Sequence, residues 1–207
     1  MRITLGGSKL EFHQLFKDLK EENVESRGEV QERFAGLCIE VGGDKVKKSL
    51  MGEDENGRTG WHCSVFYATN AKTARAGLEA VGNAVGWEGA NGTDNDGRHV
   101  GHLIVQMFGR KSGEGEGEVE EDDVVKAMEN LVSKGKLNLS IRDFGDGDGM
   151  GGPPSVEDNV MMKATEIGDY GVVRCLAGYT EPEEEGEGYG REENGMGEGP
   201  FDVALRR

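Results

Sequence analysis

The chain has 207 residues, a formal net charge of −16, 35 glycines and 35% hydrophobic residues. That length supports one ordinary domain with a hydrophobic core, or one domain with appended segments. The low apolar share and the glycine excess predict ordered and disordered parts within one chain. The charge balance excludes a broad basic surface of the kind that grips phosphate backbones, so nucleic acid is not an expected partner.

The acidity is concentrated. Residues 1–110 carry 14 basic and 16 acidic groups, whereas residues 111–207 carry 10 and 24. Lys111 to Asp123 has a net charge of −6, and Glu181 to Asp202 one of −8. The remainder is close to neutral, so the acidity belongs to two segments and not to the whole fold. Cys38, Cys63 and Cys175 are widely spaced within apolar runs. This predicts buried free thiols in a reducing, cytoplasmic setting, not a disulfide framework. Without a CxxC pair, no structural zinc site is expected. The first residues lack the apolar core of a signal peptide, and no apolar run approaches membrane-spanning length. An intracellular protein with no membrane partner is therefore expected.

In chain order, Met1 to Leu5 reads as a short strand. Ser8, with Glu11 three residues on, has capping-box spacing. Phe12, Leu15, Phe16 and Leu19 then mark one face of a helix, whose polar run continues to Arg33. Phe34 to Val41 reads as a strand. Asp44 to Gly60 holds a basic cluster (Lys45, Lys47, Lys48) and a turn at Asp54 to Gly57. Trp61 to Ala68, rich in aromatic and β-branched residues, reads as a second strand. Thr69 or Asn70 caps a helix carrying Ala71, Ala74, Leu78, Val81 and Val85 on one face, with Gly86 at its end. Arg98 to Phe108 is bulky and apolar on both faces, as in a central strand. Asp122 or Asp123 caps a third helix with Val124, Ala127, Met128 and Leu131 inward, ended by Gly135. Lys136 to Phe144 alternates, with Leu137, Leu139 and Ile141 inward. Val160 to Ile167 and Tyr170 to Tyr179 read as a hairpin around Gly168-Asp169.

No internal repeat is evident. The expected fold class is α+β: a single domain with a mixed, mostly antiparallel sheet of five to seven strands and about three helices packed mainly on one face. The domain spans residues 1–180, with a flexible acidic insert at about 111–121. Residues 181–207 form a Glu/Gly-rich tail that cannot bury enough apolar surface to order itself. The tail ends in a short apolar and basic element containing Phe201, Val203 and Leu205.

Candidate chemistry is sparse. His99 and His102 invite a metal, although on a strand residues three apart face opposite sides. The stretch Gly97-Arg98-His99-Val100-Gly101-His102-Leu103, following Phe66-Tyr67-Ala68-Thr69-Asn70, loosely resembles viral rolling-circle replication initiator endonucleases. That resemblance would imply a metal-dependent nuclease. The family pattern places its two histidines one residue apart and a tyrosine three residues before a lysine. Here the histidines are three apart, and Val160 precedes Lys163, so a degenerate nuclease-like domain is all it implies. Asp143, Asp146 and Asp148 suggest a weak divalent-cation site, but their spacing departs from an EF-hand loop, as does that of Asp94 and Asp96. Those segments read as surface turns. The glycine-rich run from Gly145 lacks the Gly-Lys-Ser/Thr ending of a phosphate-binding loop. His62 and Cys63 would point apart on a strand and so form no nucleophilic dyad. Trp61, Phe66, Tyr67, Trp87 and Phe108 read as core or rim aromatics, because the arginines a stacking platform needs are scattered along the chain.

The leading functional expectation is a non-enzymatic interaction or regulatory protein, of viral or phage origin in one version. Its acidic tail, with Glu183, Glu184 and Glu185 leading to Phe201, Val203 and Leu205, would be steered to a basic protein surface and dock there. The alternatives are a metal-dependent enzyme on nucleic acid or phosphate esters, drawing on His62, His99, His102, Asp94 and Asp96, and a structural component of a larger particle. No cofactor is expected.

Overall fold

The computed structural model describes residues 11–109, 123–142 and 158–179, together with residues 193, 197 and 199. Within them the chain is helical: α1 (Glu11–Glu21), α2 (Arg27–Val41), α3 (Gly43–Leu50), α4 (Gly60–Phe66), α5 (Ala71–Val85), α6 (Val100–Phe108), α7 (Asp123–Gly135), α8 (Val160–Ile167) and α9 (Tyr170–Tyr179). The described residues contain no strand, only an isolated antiparallel bridge between Arg142 and Asn159. The expected α+β sheet fold is therefore overturned.

The helices form a two-row stack. α1, α4, α6 and α8 rest on one another in sequence, and α2, α5, α7 and α9 do the same beside them. Each inner helix also packs on the outer helix that follows it, and α3 fills the step between the first and second pairs. The core is thus a continuous apolar seam between the rows, with Phe12, Phe16, Trp61, Leu78, Leu103, Met128, Leu131 and Leu176 buried along it. Such architectures are quasi-one-dimensional, each unit leaning mainly on its neighbours.

The inner helices explain the strand misreadings. Trp61, Cys63 and Val65 on α4, and Val100, Leu103, Ile104 and Val105 on α6, are buried on every side. A short segment buried all round shows no amphipathic period, so a buried helix and a buried strand look alike in sequence. Gly101 lies inside α6 because a Cβ there would sit 2.8 Å from Leu137 and 2.7 Å from the His99 ring. Phe34 to Val41 is the second half of α2, separated from α1 by residues 22–26. The hairpin expected at 160–179 is instead two helices. Gly168 takes the left-handed conformation that ends α8 (φ 85°), and the Asp169 side chain accepts the Val172 N–H to start α9.

Other expectations hold. Phe12, Phe16 and Leu19 form the buried face of α1. Asn70 caps α5 by accepting the Thr73 N–H at 2.9 Å, and Ala74, Leu78 and Val81 are buried beneath it. Val124, Ala127, Met128 and Leu131 form the buried face of α7. The alternation at 136–140 is genuine in burial, with Leu137 and Leu139 inward, but the segment is an irregular connection that starts at Lys136 with φ 48° and ends in a turn, without strand pairing. On the outer row, Arg27 of α2 binds Glu79 of α5 at 2.6 Å. Arg75 of α5 binds both Glu79 at 3.0 Å and Asp123 of α7 at 2.9 Å. That half-buried network ties three successive outer helices in register.

Candidate functional site

A repeated local unit builds the surface, its Asp, Gly, Arg and His positions recurring 40 residues apart. Before α4, Asp54 accepts the N–H groups of Asn56 and Arg58 at 2.8 and 2.9 Å, and its own N–H donates to the Arg58 carbonyl at 3.0 Å. Before α6, Asp94 accepts from Asp96 and Arg98 at 3.0 and 2.9 Å, and its N–H donates to the Arg98 carbonyl at 3.0 Å. Gly57 and Gly97 close the two turns at positive φ, 71° and 76°. The turns are joined edge to edge. The Asn95 N–H donates to the Asn56 carbonyl at 3.0 Å, and the Asn95 side chain to the Glu55 carbonyl at 3.1 Å. The absence of an internal repeat, expected from the sequence, is thus corrected by matching hydrogen-bond patterns.

The inner helices α4, α6 and α8 each start at a capping residue. Thr59 pairs with the His62 Nδ1 at 3.0 Å, His99 Nδ1 accepts the Gly101 N–H at 2.9 Å, and Asn159 accepts the Met162 N–H at 3.0 Å. Histidines then link unit to unit. His13 Nε2 meets the Arg58 carbonyl at 2.8 Å, His62 Nε2 the Arg98 carbonyl at 3.1 Å, and His102 Nε2 the Asp158 carbonyl at 3.2 Å. In each case the acceptor is the residue just before the next cap. A carbonyl only accepts, so Nε2 carries the proton in all three rings. The four histidines are therefore structural parts of the stack.

Burial is the leading cause that holds His13 and His62 below the ordinary imidazole value. Burial, then the neighbouring His102 and His62, pushes His99 well below it. Neutral imidazoles suit these hydrogen bonds. The His99 and His102 rings lie 4.1 Å apart between centroids, so the short α6 brings them together as a strand would not. No cluster of three or more His, Cys, Asp or Glu side chains forms a metal-sized group among the described residues. Asp143, Asp146 and Asp148 lie outside the described residues, as do Glu183, Glu184, Glu185, Phe201, Val203 and Leu205.

The thiols are equally unsuited to chemistry. Among the described residues all three cysteines are free, Cys63 buried and the others half-buried. Burial pushes the Cys63 thiol up to about 12 and Cys175 to about 11, so neither offers a thiolate near neutrality. A cavity bounded by Phe16, Leu19, Val30, Tyr67 and Thr73 measures about 10 Å³. That is room for about one water and no substrate.

What the stack does present is a side-chain face. The residue four positions after each linking histidine lies at the same station of its inner helix: Lys17 on α1, Phe66 on α4 and Gln106 on α6. Asp18, Tyr67 and Met107 follow at the next station, with Met107 37% exposed. At the α1–α4 end this face gathers cations around rings. The Arg58 guanidinium lies 3.7 Å from the Phe66 ring centroid. Lys20 Nζ is 5.6 Å from Phe66 and 5.9 Å from Tyr67, and Lys17 Nζ is 5.6 Å from Tyr67. Phe66 and Tyr67 meet edge to face with centroids 5.1 Å apart. Sequence reading missed this patch because its cations come from positions 17, 20 and 58, which only the packing of α1 on α4 brings together.

Compared with known protein families, the chain matches no family model, and no curated protein matches it either. No helix among the described residues is long and apolar enough to cross a membrane.

Proposed function

We propose that the chain is a short helical-repeat scaffold of the ankyrin kind that binds a protein partner across the face formed by its turns and inner helices. Ankyrin repeats pair a β-turn with two helices and carry a Thr-Pro-Leu-His signature. Thr59-Gly60-Trp61-His62 resembles that signature, and the turns at 54–58 and 94–98 occupy the matching place. The spacing here is wider than that of regular repeats: Thr59 to His99 spans 40 positions and His99 to Asn159 spans 60. The extra length of the second interval contains the acidic run from Lys111 and the glycine-rich run from Gly145.

The observation that carries this reading is the chain of histidine-to-carbonyl bonds from His13, His62 and His102, which joins like units into a stack. A stack with its ionisable core groups engaged in structure, and a face of unlike side chains at equivalent stations, is built for recognition over area. The acidic segments add long-range attraction for a basic region of the same partner. Glu183, Glu184, Glu185, Phe201, Val203 and Leu205 supply a second, tail-borne contact. Photo-crosslinking tests the face. A photoreactive residue at Met107 should capture a discrete partner in host extract, and one at Ile39, exposed on α2, should not. Capture from Ile39 alone would put the interface elsewhere.

A further inference from the structure

We propose that the α1–α4 end of the inner face, built from Lys17, Lys20, Arg58, Phe66 and Tyr67, takes an acidic peptide segment of the partner carrying an apolar side chain between its carboxylates. The proposal rests on the scaffold reading above and specifies the chemistry of one part of its face.

The charge at this end of the face is out of place. In a chain of net charge −16, carboxylates are plentiful. Arg27, Arg33, Arg75 and Arg98 each pair with one or two of them. Arg58 forms no ion pair with any described residue, and its buried Nε–H has no hydrogen-bond partner. The matching arginine one unit along, Arg98, is held by Asp94 and Asp96. Arg58 stacks on Phe66 instead, and a carboxylate would meet its terminal N–H groups, not the buried Nε–H. Lys17 and Lys20 are exposed on the adjoining turn of α1. Neither makes an ion pair among the described residues; Lys20 reaches only the Phe66 carbonyl, at 3.4 Å.

Three cations without an ion pair among the described residues, around two half-buried rings, define what fits. A carboxylate gains charge-assisted hydrogen bonds from Arg58 and the lysines, and an apolar side chain covers Tyr67 and Phe66 and shields those bonds from water. A nucleic acid strand fits less well. The affinity of such complexes rests on many phosphate contacts, and three cations supply few.

The test uses the full-length protein and three short fluorescent peptides with the same central Leu-Trp pair, flanked by Glu, Ser or Lys. Anisotropy should show the Glu peptide binding about tenfold tighter than the Ser peptide, with the gap closing at high salt. Lys17→Gln/Lys20→Gln and, separately, Arg58→Gln should each remove most of that gap. Lys47→Gln/Lys48→Gln, on α3, should leave it intact. Loss in the α3 variant, or no loss in the other two, overturns the assignment. Equal binding of all three peptides overturns the acidic occupant while leaving the face a binding surface. Binding of none overturns the scaffold reading with it. Tighter binding of a single-stranded oligonucleotide than of the Glu peptide would replace the occupant. Binding that tightens about tenfold in Glu183→Gln/Glu184→Gln/Glu185→Gln would assign the patch to the chain's own tail and overturn a partner in trans.

Discussion

The turns at 54–58 and 94–98 share a backbone and differ in what they do with their arginine. Both hold an aspartate that accepts two backbone N–H groups, and both close on a glycine at positive φ. In the second turn, Asp96 joins Asp94 and the two clamp Arg98, whose charge is spent inside the unit. In the first, the corresponding position is Asn56, and Arg58 swings onto Phe66. The second helix has Gln106 where the first has Phe66, so Arg98 has no ring to stack on. One carboxylate and one ring thus separate a structural arginine from a presented one. The backbone of a repeat is a constant on which side-chain identity writes either stability or recognition.

The largest expected effect concerns the clamped turn. Asp94 is almost fully buried, accepts two N–H groups and holds Arg98, so Asp94→Ala should cost about 3–4 kcal/mol by chemical denaturation. Asp54→Ala loses two backbone hydrogen bonds and no clamp, and should cost about 1–2 kcal/mol. Equal losses would erase the distinction between the turns.

Gly57→Ala sharpens the edge-to-edge contact. A Cβ there meets the Asn95 backbone N at 2.9 Å, and alanine resists a φ of 71°. The expected loss is about 2–3 kcal/mol, read as a lower denaturation midpoint.

The buried histidines set a pH limit shared by both units. His13, His62 and His99 have folded values below the unfolded imidazole value of about 6.5, so the unfolded chain binds more protons. Their contribution is fully present above that value and is lost as pH falls from it toward the folded values. Midpoints measured from pH 7.5 down to 5 should therefore decline below about pH 6.5. A flat profile would show that the imidazoles are solvated.

The smallest stability effect belongs to the exchange that converts one turn into the other. Asn56→Asp should give Arg58 the clamp that Arg98 has. Stability should change by less than about 1 kcal/mol, because the new pair is exposed. Binding of the Glu-flanked peptide should fall sharply.

Legibility in the sequence followed the physics of each element. α1, α5 and α7 each bury one face and expose the other, so their period was readable from Phe12-Phe16-Leu19, Ala74-Leu78-Val81 and Val124-Met128-Leu131. Residues 60–65 of α4 and 100–105 of α6 are buried all round, and their β-branched and aromatic residues read as strand because burial had erased the period. The turns at Asp54 and Asp94 were legible, but their equivalence was not. Their caps differ (Thr59, His99, Asn159), their spacing varies, and the shared signal is hydrogen bonding through His13, His62 and His102. Aligning Asp-Glu-Asn-Gly-Arg with Asp-Asn-Asp-Gly-Arg, each followed at the same distance by a histidine, would have exposed it. The cation–aromatic patch had no such signal, since it exists only where α1 lies against α4.

The stack stands or falls on those histidine bonds, and imidazole NMR observes them directly. In uniformly 15N-labelled protein, the account predicts protected Nε2–H protons for His13, His62 and His102. His99 should remain neutral well below pH 6.5, and His13 and His62 should titrate below that value. Rapidly exchanging ring protons, with all four histidines titrating together near the free imidazole value, would contradict the stacked-repeat architecture and the binding face built on it.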